Sequence, residues 1–374
     1  MSRHILHVLG PLVFLRLDPL LHLGVNIISS ATTEEEMLQG FAFGREAIRI
    51  IETHPVPPEV ACPVYNFYAS HIIIWHRPLI EAQQYLNSAI SKGLQTYDLT
   101  WTTLAAIDRA VFALFGGESL DLVQAKLEEA GPVIRKGKQG TARQWLAMPM
   151  QFVQSLRGLA EDDTVQSASE LSDILQAAEL NELHTDLFGY HFYGLVLAVF
   201  TGRLDKGMSS AKACEKYLPS ATGSFMAGMY IFYSAVLFVD NSDNLVHSEL
   251  ALLQKKMNLL RLWAKTSPAT FEHKFKFLEV MMSRNEHNQL ATLDKFDEAI
   301  YLALEDGLIH DAALYAERCS RWLSKTSPNR AAQYLSFARR QYDFWGSTSK
   351  VQEISVIQPP AAALRGFGTS KTIY

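Results

Sequence analysis

One spacing recurs along this chain and limits its fold more than any other feature. A small residue is followed four positions later by a bulky one, and three positions after that by another small one. It stands at Ala82–Leu86–Ala89, Gly207–Ala211–Cys214, Thr292–Phe296–Ala299 and Ala331–Leu335–Ala338, and at Gly40–Gly44–Ala47 with a small residue in the middle. Steps of four and three keep all three residues on one face of an α-helix, where small side chains let a second helix approach closely. The first members lie 42, 125, 85 and 39 residues apart. These gaps are near one, three, two and one multiples of about 42, the size of a helical-hairpin repeat. Weaker copies fall at Ser167–Leu171–Ile174 and near Glu249.

The pattern is that of tetratricopeptide-type hairpins, none of which can bury its apolar face alone. Helical periodicity dominates elsewhere too, and strand-like alternation is nearly absent. Helix starts are signalled by "TSPATFEH" (266–273), "TSPNRAAQ" (326–333) and "STSKVQE" (347–353), and breaks by Gly93, Gly116–Gly117, Gly202, Gly307 and Gly346. The expected fold is all-α, with about eight helix–turn–helix units of about 42 residues stacked in a right-handed superhelix with a concave inner wall. No linker-like stretch divides the chain, so residues 1–357 read as one helical-repeat domain and 358–374 ("QPPAAALRGFGTSKTIY") as an irregular tail.

Composition excludes several classes. The 374 residues are 48% apolar and 20% charged, which is a folded chain. Net charge is −5 without a basic block, which argues against a nucleic-acid partner. Cys62, Cys214 and Cys319 lie far apart and read as buried thiols of a reducing compartment, neither disulfide nor zinc ligands. The apolar N-terminus is interrupted by His4, His7, Pro11, Arg16, Asp18, Pro19 and His22, too often for a membrane span. It reads as two short helices, and the protein as cytoplasmic.

Three C-terminal stretches, "WAKTSPATFEHKFKFLEVMMSR" (263–284), "DEAIYLALEDGLIHDAALYAERCSRWL" (297–323) and "AAQYLSFARRQYDFWGSTSKVQEI" (331–354), follow one another in a specific order. The order resembles the tetratricopeptide-like region of large multi-sensor signalling kinases of fungi and cyanobacteria. "FAFGREAIRII" (41–51) and "WHRPLIEAQQYLNSAISKGLQTYDLTW" (75–101) resemble earlier parts of that region. The resemblance implies a regulatory relay through protein contacts. No phosphate loop and no kinase HRD or DFG triplet accompanies it, so the repeat region stands without ATPase or kinase motifs.

Metal chemistry finds little support. Asp162–Asp163 lack a DDxxD context, and Asn244 and Ser248 are followed by Leu252 rather than an acid. The histidine pairs His71/His76 and His184/His191 lack an evident third ligand. No cofactor is expected. Three stretches do combine apolar and polar groups as a ligand site would. "YNFYASHIIIWHRP" (65–78) carries Tyr65, Tyr68, His71, Trp75 and His76. "TWTTLAAIDRAVFALF" (100–115) carries Trp101, with Asp108 and Arg109 inside an apolar helix. "HTDLFGYHFYGL" (184–195) carries His184, Phe188, His191 and Tyr193. Buried charge is costly unless paired. Candidate catalytic residues are therefore His71, His76, His184, His191, Asp108 and Arg109, and candidate substrate-binding residues Tyr65, Tyr68, Trp75, Trp101, Phe188 and Tyr193. Against this stands a structural role as packing aromatics, satisfied histidines and solvent-facing charges. The aromatic–methionine stretch "TARQWLAMPMQF" (141–152) fits either an apolar cavity or core. His273 reads as scaffold.

Two functions follow. The first is a cofactor-free cyclase or pericyclase of fungal secondary metabolism, holding an apolar small molecule in an enclosed cavity of about 300–1,000 Å³. The second is a stand-alone interaction module that grips a protein partner along an open, charged concave groove.

Overall fold

A computed structural model describes residues 3–137, 140–159, 165–242, 245–285 and 288–357, without the side chains of 3–16, 133–137, 140–141 and 165–171. Among the described residues run 17 α-helices, two 3₁₀ turns and no strand. The helices are α1 (Arg3–Ser30), α2 (Glu34–Thr53), α3 (Pro58–His71), α4 (Leu79–Thr96), α5 (Leu99–Phe115) and α6 (Leu120–Gly137). There follow α7 (Gly140–Arg157), α8 (Val165–Leu180), α9 (His184–Thr201), α10 (Leu204–Tyr217), α11 (Phe225–Asp240) and α12 (His247–Thr266). The last five are α13 (Pro268–Ser283), α14 (Gln289–Glu305), α15 (Ile309–Leu323), α16 (Pro328–Trp345) and α17 (Thr348–Ile357). The 3₁₀ turns are Ile73–Trp75 and Leu218–Ala221. Each helix packs on the next along the chain, so the fold is an all-α helical-repeat stack.

The recurring triplet explains the stacking. It falls on even-numbered helices, and its residues are the buried ones: Ala82, Leu86 and Ala89 on α4, Gly207, Ala211 and Cys214 on α10, Thr292, Phe296 and Ala299 on α14. On α16, Ala331 and Ala338 are buried with Leu335 half-buried between them. A β-carbon on Gly207 would fall 2.5 Å from Leu237, so only a small residue fits there.

The stack also closes on itself. Helix α2 packs on α12, where Lys265 Nζ bonds Glu34 Oε1 at 2.7 Å. Helix α17 packs on α7, where the Ser347 and Ser349 hydroxyls donate to the Leu156 carbonyl. Helix α11 fills the space between. Every residue from Ala227 to Val239 is buried, as expected of a helix apolar all round. Its side chains meet Phe112 and Phe115 of α5, Phe200 of α9 and Tyr315 of α15. One buried apolar cluster runs from Leu17 to Ile354.

Two sequence expectations change. The N-terminus is one helix, α1, rather than two short ones. Leu17, Leu21 and Ile28 anchor it, and Gly24 sits so close to α2 that a β-carbon would meet the Gly40 carbonyl at 2.8 Å. That packing carries the helix past Pro19 despite the lost hydrogen bond. Gly93 does not break a helix either. It lies inside α4, where a β-carbon would fall 2.2 Å from Thr102 Oγ1, so its role is close approach to α5. Gly202 and Gly346 do end α9 and α16 in the left-handed conformation. Cys62, Cys214 and Cys319 are buried free thiols, and burial pushes Cys62 up to about 12. Among the described residues no helix is long and apolar enough to cross a membrane. The expected tail (358–374), Asp162–Asp163 and Asn244 lie outside the described residues.

Candidate functional site

Five helices and a 3₁₀ turn meet around a cavity of about 170 Å³. Helix α3 contributes its last two residues, Ser70 and His71, just before the chain tightens into the first 3₁₀ turn. Asp98 caps α5 by accepting from Trp101 N at 3.1 Å, which fixes the register that brings Asp108, Val111 and Phe112 to the cavity. Helix α7 adds Trp145 and Met148. Helix α9 adds Asp186, Gly189 and Tyr193, spaced so that they share one face. The second 3₁₀ turn and the Ser224-capped start of α11 supply Ala221, Thr222 and Phe225.

Asp108 is the central polar group. Ser70 Oγ donates to its Oδ2 at 2.6 Å and Asn66 Nδ2 at 3.4 Å, which leaves Oδ1 as the oxygen available to a ligand. Burial among apolar side chains raises this carboxyl to about 6, and the two donors only partly oppose it. Asp186 is 4% exposed. Trp145 Nε1 donates to its Oδ1 at 2.6 Å, while its buried Oδ2 has no hydrogen-bond partner. Burial raises this carboxyl as well, against the Trp145 bond.

His71 stands at the same cavity. Burial pushes its imidazole down to about 4, against a smaller upward pull from the Phe67 carbonyl, and its Nδ1 lacks a hydrogen bond of normal geometry. The neutral ring stacks on Phe67 at 4.6 Å, and Phe67 stacks on the exposed His22 at 5.1 Å. Burial and the nearby Asp108 carboxylate raise the Tyr193 phenol, so it is a hydrogen-bond donor throughout the physiological range.

Of the residues singled out from sequence, the structure therefore brings His71, Asp108 and Tyr193 together. The others stand elsewhere. Arg109 turns away from the cavity to Asn87 and Glu129 across α4–α6. His76 packs against Phe41 at 4.3 Å. His184 and His191 share the ring of Tyr217 on α10. Tyr65 and Tyr68 pack on Tyr85. Trp75 is a core wedge, parallel to Phe271 at 5.7 Å, with its indole nitrogen donating to the Gly223 carbonyl. Phe188 is fully buried and Trp101 packs half-buried against the core. His273 is buried, with Nδ1 2.9 Å from the Tyr315 hydroxyl.

Sequence reasoning missed Asp186, Ser70 and the role of Trp145. The available signal for Asp186 was an acid in the first turn of an otherwise apolar helix (184–201), on the face that carries Tyr193 seven positions later. Beside the cavity lies a second one of about 250 Å³, reaching Gln151, Ser155, Arg203 and Lys206. The two share Met148 and Tyr193 as a wall. Neither alone reaches the 300 Å³ expected of an enclosed substrate site. Open, more polar grooves also exist. One of about 560 Å³ between α2 and α4 carries Arg45, Arg49, Glu52 and Arg77. Another of about 440 Å³ between α14 and α16 carries Leu290, Asp297, Arg330 and Phe337.

No curated protein and no solved structure matches the chain. Residues 180–341, less than half of the chain, match a family model described as CHK1-like, TPR repeats. Helices α9 to α15 thus lie within a tetratricopeptide-like repeat region related to kinase-associated repeats, and the cavity joins that region to α3, α5 and α7.

Proposed function

We propose that this chain is a cofactor-free small-molecule enzyme of the cyclase, isomerase or pericyclase type, working in the cavity between α3, α5, α7, α9 and α11. The observation that carries the reading is the Asp108 carboxyl, held at about 6 among apolar walls beside Tyr193 and the neutral His71. A carboxyl so placed exchanges protons at neutral pH, which is the property a general acid–base needs. Tyr193 is suited to donate a hydrogen bond to a substrate carbonyl, and the apolar walls to exclude water while the substrate is folded. The cavity size suits the reacting part of a substrate, with the second cavity behind Met148 available to the rest.

The test is incubation of the purified chain with apolar carbonyl and polyene compounds, against a boiled control. A product is expected, and Asp108→Asn is expected to slow its formation by about 100-fold or more while the helical circular dichroism is kept. Product formation by Asp108→Asn at the wild-type rate, or no compound bound or changed by the wild type, sinks the reading.

A second reading is favoured by the family match, because repeats of this kind commonly mediate protein interactions. In that reading the chain is a non-catalytic regulatory scaffold, and the α14–α16 groove within the matched stretch is its contact surface. Substitution of Leu290 and Phe337 by Asp would then abolish partner capture, and Asp108→Asn would leave it unchanged.

A further inference from the structure

Two carboxylates line one small cavity, and among the described residues no lysine or arginine lines it. Buried charge is normally paired, and each carboxylate here has only neutral hydrogen-bond donors: Ser70 and Asn66 for Asp108, Trp145 for Asp186. Asp186 Oδ2 has no donor at all, although the residue is 4% exposed. Elsewhere in this protein, deeply buried acids do have cations. Asp311 has Lys274, and Glu317 has Lys350 and Arg321. The cavity departs from the rule the rest of the fold follows.

Part of the remaining wall is aromatic. Trp145, Phe112, Phe225 and Tyr193 line it, and an aromatic face attracts a desolvated cation placed over it. Two acids and four aromatic rings around one partly open space are complementary to positive charge and repel anions. We propose that this cavity binds a compact organic cation, a quaternary or protonated amine, with the Asp186 carboxylate as its principal counter-charge and Trp145 as both an aromatic wall and the group that aims Asp186. This deepens the small-molecule reading above, and it rests on the same cavity. The cation supplies the missing partner of both acids. The volume, about 170 Å³, suits a head group of that size.

The experiment compares choline with 3,3-dimethylbutan-1-ol, its neutral isostere, by isothermal titration calorimetry on the full chain. Choline is expected to bind at least tenfold more tightly than the alcohol. Asp186→Asn is expected to abolish that preference while leaving alcohol binding within about twofold. Thr185→Trp, which fills the cavity from its half-buried lining, is expected to remove both ligands. Should Asp186→Asn fail to fold, Asp108→Asn serves in its place, with a reduced preference expected. If the alcohol binds as tightly as choline and Thr185→Trp removes it, the cation assignment is overturned while the small-molecule cavity stands. If neither probe binds to the folded wild type, the cation assignment falls, and binding of an apolar carbonyl compound then decides the cavity reading separately. A preference for choline that survives in folded Asp186→Asn, or that is undiminished in Asp108→Asn where that variant replaces it, also overturns the proposal.

Discussion

Ser70 on the last turn of α3 donates its hydroxyl to Oδ2 of Asp108 on α5, at 2.6 Å, and so ties two separate hairpins together at the edge of the cavity. The bond favours the ionised carboxylate, yet burial outweighs it and the carboxyl rises from 3.8 to about 6. The native fold thus carries an acid in a place that disfavours its charge.

That has a consequence for stability. A carboxyl raised in the folded state binds more protons there than in the unfolded chain. Its contribution is therefore favourable at low pH and is lost as pH rises from about 4 through about 6. Asp108→Asn is expected to stabilise the protein at pH 7.5, by on the order of 1–3 kcal/mol, while slowing product formation by the same roughly 100-fold or more. Denaturant melts at pH 7.5 and pH 4.5 check it. The gain is expected to vanish at the lower pH, and a variant less stable than wild type at both would show that Asp108 is merely structural.

Ser70→Ala tests the same pair from the other side. Removing the donor that favours ionisation moves the Asp108 titration further up from about 6. In the pH profile of kcat/KM, the limb belonging to Asp108 is expected to shift to higher pH with little change in the plateau. A profile that falls in height without moving would separate Ser70 from the carboxyl's titration.

Two buried histidines act in the opposite direction. Burial holds His71 and His310 down at about 4, and both ring nitrogens of His310 lack hydrogen bonds, with Asp311 Oδ1 3.8 Å from Nε2 and the ring stacked on Trp345 at 5.1 Å. Such groups bind fewer protons in the folded state, so their stability contribution is present above the unfolded value near 6.5 and lost as pH falls below it. His310→Phe is expected to flatten the loss of melting temperature between pH 6.5 and 5, recovering on the order of 1 kcal/mol at pH 5. An unchanged slope would remove His310 as a source of the acid sensitivity.

The C-terminal hairpins rest on a buried ion pair. Lys274 Nζ lies 2.5 Å from Asp311 Oδ2, with side chains 1% and 0% exposed. Burial pushes the Asp311 carboxyl up, but the ammonium of Lys274, ahead of its other neighbours, overcomes it and holds it at about 2. Lys274→Met leaves that charge unpaired and is expected to destabilise by about 3–5 kcal/mol, whereas Lys274→Met with Asp311→Leu should regain most of the loss. Chemical denaturation of the single and double variants checks it, and equal stability of the two would mean that Asp311 is neutral in the fold.

The stacking was legible in sequence because it depends on local periodicity. Ala82, Leu86 and Ala89 are buried on α4 as their spacing required, and Gly207, Ala211 and Cys214 on α10 likewise. The cavity was only half legible. Asp108 stood out as a charge in an apolar helix, but its neighbour Arg109 carried the same signal and turned to solvent-side partners, because adjacent helical residues face about 100° apart. Asp186 looked like an ordinary acid of a first helical turn. Its meaning depends on Trp145, 41 positions away, and that pairing is set by how α7 crosses α9, which no local pattern encodes.

Met148 provides the last prediction. It stands with Tyr193 between the carboxylate-lined cavity of about 170 Å³ and the neighbouring one of about 250 Å³, and its sulfur would lie 3.2 Å from a β-carbon on Gly189. Methionine is unbranched and adapts its shape readily, so this wall is the easiest to remove. Met148→Ala is expected to join the two spaces into one within the roughly 300–1,000 Å³ of a drug-sized ligand site. The buried side chain is lost in the process, at about 2–5 kcal/mol of stability. A homologous series of apolar ligands with one constant head group reads the effect. Wild type should favour the short members in a thermal-shift assay, and Met148→Ala should extend the preference to longer ones while the head group still depends on Asp108. If chain-length preference stays the same in a folded Met148→Ala protein, the second cavity plays no part in binding.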